Sequence, residues 1–64
     1  MESYKQEYNN LLKRYYKGCK YLEAHREDIE KFMPELLKIL NEINIMIEEN
    51  NIEDEQIILN GFNM

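Results

Sequence analysis

Cys19 and His25 are the side chains best suited to covalent chemistry, the first as a thiolate nucleophile, the second as its base. A cysteine nucleophile needs that base within hydrogen-bond reach. The two are six residues apart, which turns them to different sides of an ideal helix. Cys19 borders an apolar stripe and reads as a small core residue. A zinc centre needs about four ligands at suitable spacing, and this chain has one Cys and one His. The acidic run Glu48-Glu49-Asn50-Asn51-Ile52-Glu53-Asp54-Glu55 invites a calcium reading. It lacks the alternating Asp/Asn ligands and the central Gly of a helix-loop-helix calcium loop. Gly18 and Gly61 are isolated, so there is no Gly-rich phosphate loop, and Ser3 is the only hydroxyl of the Ser/Thr kind. The expectation is no enzyme: no catalytic, cofactor or metal residues.

What remains is the chemistry of binding. Residues 1–26 carry a net charge of +3 and residues 27–64 a net charge of −8. The plainest consequence is a basic helix lying beside an acidic one. Each exposed ion pair would then contribute about 0–1 kcal/mol. A sharper reading uses the acidic half. Glu42, Glu48, Glu49, Glu53, Asp54 and Glu55 would engage a basic groove on another protein, with negative potential steering the encounter. The converse reading uses Lys13, Arg14, Lys17, Lys20 and Tyr21 to touch phosphates and stack on a base. The chain is acidic overall, at −5, so a protein partner is expected and nucleic acid is not.

The elements that must position these residues are helical. Hydrophobic residues make up 44% and charged residues 33%, a balance that folded chains have and disordered ones rarely do. Tyr4, Tyr8, Leu11, Tyr15, Gly18 and Leu22 recur at steps of four and three, which is one helical stripe and predicts a helix over about 3–26. Ser3 is the natural N-cap. Gly18 lies on the stripe, and close approach of another helix would explain a residue that costs about 1 kcal/mol there. Pro34 fits best in a first turn, so the connection is placed within 26–34, with or without a short helical turn, and a second helix over about 34–50. Leu36, Leu37, Leu40, Ile43, Asn44 and Ile47 mark its inner face. A third helix over about 52–59 begins in an acidic turn and ends at Asn60-Gly61, with Phe62 folding back on Ile57. The fold class expected is all-α, one domain over 1–64: an antiparallel helical hairpin plus a short C-terminal helix, packed as an oligomeric bundle.

The oligomer follows from size. A chain of 64 residues buries about 60% of its unfolded surface and usually needs a staple or a partner. Ile39 and Met46 widen the apolar arc of the second helix, so Leu36, Ile39, Leu40, Ile43, Met46 and Ile47 are the expected interface of a homo-oligomer. Tyr21 and Ile45 fall on polar sides, and with Phe62 they are candidate exposed contacts. No apolar run exceeds three residues, so neither a signal core nor a membrane span is expected. The lone Cys suits a reducing cytosol, hence a cytoplasmic protein.

Three stretches carry a resemblance: Tyr15-Tyr16-Lys17-Gly18-Cys19-Lys20-Tyr21-Leu22-Glu23, Met33-Pro34-Glu35-Leu36-Leu37-Lys38-Ile39-Leu40 and Ile58-Leu59-Asn60-Gly61-Phe62. They resemble small helical proteins of Firmicutes phages and prophages. The resemblance implies a protein that acts by binding a host or phage protein in the host cytoplasm, such as an inhibitor of a bacterial defence system. The alternative it allows is a self-assembling structural or adaptor subunit of a phage or replication complex.

Overall fold

The computed structural model describes residues 3–63, the side chain of Ser3 excepted, so the cap expected from that side chain lies outside the described residues. Helix α1 spans Ser3–Ala24, two residues shorter than the pattern predicts. Its stripe is the buried one: Tyr8, Leu11, Leu12 and Leu22 are buried, and Tyr4, Tyr15 and Gly18 are half-buried. His25 leaves helical geometry at φ −129° and ψ 65°, and Arg26–Asp28 form a single 3-10 turn. Helix α2 follows at once, spanning Ile29–Glu49.

The start of α2 corrects the expectation of a helix from 34. The 3-10 turn delivers the chain already coiled, with the Ile29 N–H bonded to the Arg26 carbonyl. Phe32 then packs edge-on against Tyr21 of α1, ring centroids 5.7 Å apart. Pro34 therefore sits inside the helix, where its missing N–H removes one bond, the one Glu30 would accept. Asp28 occupies the N-cap without capping, because its carboxylate accepts the Tyr21 hydroxyl at 3.0 Å instead.

The helices pack antiparallel. At the closed end a Cβ added to Gly18 would come within 2.5 Å of Leu36 Cδ2, so the close approach expected there is real. The seam of α2 runs through Phe32, Leu36, Ile39, Ile43, Met46 and Asn50, in alternating steps of four and three, all of them buried or half-buried. Leu37 and Asn44 lie about 100° round the helix from Leu36 and Ile43. Both are exposed, against the inner position expected of them.

A left-handed Asn51 (φ 51°) ends α2. The Ile52 N–H bonds to the Ile47 carbonyl at 3.0 Å and the Asn51 N–H to Glu48 at 3.5 Å, the paired bonds of a Schellman motif. That turn drives Ile52 into the core, where it is buried with Tyr8, Leu11, Leu12 and Ile43. Ile52 is thus spent on the core, and α3 starts later than expected, spanning Glu55–Asn60. Asp54 caps it, accepting the Gln56 N–H at 2.9 Å.

Helix α3 docks on α1 of its own chain. Six residues cannot hold a helix alone, and its last carbonyls would be orphans. Two α1 tyrosines satisfy them: the Tyr8 hydroxyl donates to Ile58 at 2.8 Å and the Tyr16 hydroxyl to Leu59 at 2.7 Å. Gly61 then takes φ 87° and ψ 176°, extended on the positive side rather than left-handed helical, a region only Gly occupies freely. Phe62 follows and packs onto α1, edge-to-face with the rings of both Tyr4 and Tyr8, centroids 5.7 Å apart in each case.

Candidate functional site

Glu42, Glu48, Glu49, Glu53, Asp54 and Glu55 are all exposed. They cluster at the open end of the hairpin, on the last turns of α2, the connection into α3 and the first residue of α3. None forms an ion pair among the described residues. The antiparallel register adds a carboxylate that sequence reasoning missed: Glu7 of α1 borders one depression together with Glu42, Ile45 and Glu49 of α2. The signal for it was the hairpin itself, which lays the start of α1 beside the end of α2. The six acids accordingly divide. Glu42 and Glu49 face this depression; Glu48, Glu53, Asp54 and Glu55 lie outside it.

The closed end carries a second depression on the same side of the hairpin, with Leu22, Phe32, Leu36 and Ile39 as its apolar lining and Arg14, Lys17, Tyr21 and Glu35 at its rim. Arg14 and Tyr16 are about 160° apart on an ideal helix. Glu7 and Leu11 of the first depression and Arg14, Gly18 and Tyr21 of the second follow one another on α1 at steps of four and three, so the two depressions lie end to end along the groove between α1 and α2, on the face away from Tyr16 and α3. Lys13, Arg14 and Lys17 also border a shallow basic hollow with Asn10.

Tyr21 and Ile45 are exposed, as expected. Tyr21 is nevertheless engaged. Its ring stacks on His25 with centroids 4.3 Å apart, and its hydroxyl holds Asp28. That bond is the chief cause of a phenol pKa raised above the ordinary value, with burial and the charges of Asp28 and Glu27 adding to it. His25 thus covers one face of the Tyr21 ring. Phe62, expected as an exposed contact, is half-buried instead, with Lys5 over its ring at 5.5 Å.

The residues expected at a subunit interface lie mostly within the single chain. Leu36 and Ile43 are buried, and Ile39, Met46 and Ile47 pack against the core, while Leu40 is half-buried. The large exposed apolar side chains among the described residues are others: Leu37 and Leu59, with Tyr16, Met33 and Ile29, besides Tyr21 and Ile45.

Cys19 and His25 are not brought together. Cys19 is half-buried beside Tyr15, whose phenol pKa is raised first by burial and then by this thiol. His25 sits at the junction, Nδ1 3.8 Å from Glu27 Oε1. His25, Glu27 and Asp28 offer ligand atoms within 4.8 Å of one another. His25 and Glu27 are exposed, and the half-buried Asp28 is already bonded to Tyr21.

Among the described residues, no helix is long and apolar enough to cross a membrane. Comparison with family models, with curated proteins and with solved structures found no match to this chain.

Proposed function

We propose that this chain is a non-catalytic protein-binding module whose acidic end engages a basic surface on another protein. The observation that carries this reading is the set of six exposed carboxylates, gathered at one end of the molecule and in no ion pair among the described residues. An unscreened cluster of one sign raises the encounter rate with a basic partner and disfavours acidic ones. Helix α3 fixes the arrangement, because Asp54 caps it and so holds Glu53 and Glu55 beside the end of α2. The role that accords with the resemblance to phage proteins is an inhibitor that binds a host defence protein in the host cytoplasm.

The test is capture of partners from nuclease-treated host lysate by the wild type and by a Glu48→Lys, Glu53→Lys, Glu55→Lys variant. Asp54 is left intact because its side chain caps α3. One basic protein, recovered near stoichiometry by the wild type and lost with the variant, is expected. Undiminished capture by a folded variant would overturn the reading.

A second reading, a self-assembling structural or adaptor subunit, is favoured by the exposed apolar side chains Leu37 and Leu59. It predicts that Leu37→Glu breaks assembly and, with it, function.

A further inference from the structure

From the groove on the face that α3 leaves open we infer that a second copy of this chain closes it, related by a twofold axis across the groove. The groove is electrically divided along its length. Its closed half has an apolar floor and a rim that carries Arg14 and Lys17 on α1. Its open half is rimmed by Glu7, Glu42 and Glu49. Glu35, on the α2 lip of the closed half, tempers the positive end without reversing it.

Arg14 and Glu7, the nearest unlike pair of the two rims along α1, are seven residues apart, about 10 Å. That exceeds the screening length of about 8 Å at physiological salt, so the halves of one chain neutralise each other weakly. A twofold axis midway between them lays the basic half of each copy over the acidic half of the other. The same contact is made twice, which is what an isologous interface requires. No other occupant meets both halves without carrying a matching division of its own charge.

The floor supplies the apolar burial. Phe32 and Ile39 are half-buried rather than buried, and the rim residues Tyr21 and Ile45 are exposed. Covering them adds to the small core of a short chain. The surface shares Glu42 and Glu49 with the acidic-end reading, whereas Glu48, Glu53, Asp54 and Glu55 lie outside the groove and distinguish the two.

The experiment is sedimentation of the full chain over a concentration series, with far-UV circular dichroism as the control for folding. The wild type is expected to dimerise. Arg14→Glu with Lys17→Glu makes the groove acidic throughout, and Glu42→Lys with Glu49→Lys makes it basic throughout. Each variant alone is expected to raise the dimer dissociation constant by about tenfold or more. Mixing the two variants should restore a heterodimer, while Glu48→Lys with Glu53→Lys should leave the wild-type dimer unchanged. A wild type that stays monomeric overturns the inference and leaves the groove to a foreign segment. Variants that dimerise as well as the wild type overturn it too, as does a mixture that forms no heterodimer. A dimer broken only by Leu37→Glu would move the interface to another face.

Discussion

The side chain of Asn9 exchanges two hydrogen bonds with the backbone of Phe62: its Oδ1 accepts the Phe62 N–H at 2.7 Å, and its Nδ2 donates to the Phe62 carbonyl at 2.9 Å. Only a carboxamide offers an acceptor and a donor side by side. The expected outcome for Asn9→Ala is a loss of about 1–2 kcal/mol in urea unfolding, since both bonds are part-buried and a vacated Phe62 amide is left to find water. Asn9→Asp keeps the acceptor but sets a carboxylate against the Phe62 carbonyl, and should be no better than Ala at neutral pH.

The tyrosine caps on α3 separate by burial. Tyr8 is fully buried and Tyr16 about half exposed, yet each hydroxyl holds one α3 carbonyl. Tyr8→Phe leaves the Ile58 carbonyl without its partner at a part-buried position and is expected to cost about 1–2 kcal/mol. Tyr16→Phe leaves Leu59 open to solvent and should cost about 0.5 kcal/mol or less. Equal losses in the two would contradict the difference in burial.

Stability should fall as pH rises into the alkaline range. The phenols of Tyr8 and Tyr15 are raised above the ordinary value chiefly by burial, and that of Tyr21 chiefly by its bond to Asp28. A phenol with a higher pKa in the folded chain contributes fully below its unfolded value of about 10. That contribution is lost as pH rises through the folded pKa, because the unfolded chain ionises first. Urea midpoints measured across this range should drop above about pH 10, and Tyr8→Phe should shallow the drop.

Gly18 tests the hairpin itself. Ala gains about 1 kcal/mol of helix propensity, while its Cβ displaces Leu36 Cδ2. Leu36 borders open grooves on both sides, so its side chain has room to turn. Gly18→Ala is therefore expected to change stability by less than about 1 kcal/mol, whereas Gly18→Phe should part the helices and cost about 3 kcal/mol or more. Thermal melts of the two variants provide the check.

Much of the fold was legible because α1 obeys one rule throughout. Its stripe predicts burial residue by residue, and Gly18 is explained by what it touches. The beginning of α2 was hidden because Pro34 is a local signal, overruled by the 3-10 turn and by Phe32 meeting Tyr21. Leu37 and Asn44 were misplaced because a wide apolar arc does not say which of its edges meets the neighbour. The late start of α3 depended on Ile52 entering the core, a tertiary event that no short window contains. The acidic residues were legible individually. Their division into a groove set and an outer set, and the addition of Glu7, required the antiparallel register. Asn9 gave no signal, since a polar residue on a helix flank carries no mark of a partner more than fifty residues away.

Asn60 stands directly before Gly61, the pairing in which a side-chain amide cyclises most readily onto the following backbone nitrogen. In the folded chain both participants are occupied: the Gly61 N–H is bonded to Ile57 at 2.8 Å and Asn60 Nδ2 to Gln56 Oε1 at 3.2 Å. Cyclisation must therefore wait for a local opening of α3, a short helix of the kind that opens before the core does. The rate at which aspartate and isoaspartate accumulate at Asn60 becomes an internal clock for that opening. Any partner that pins α3 in place would slow the chemical ageing of the protein.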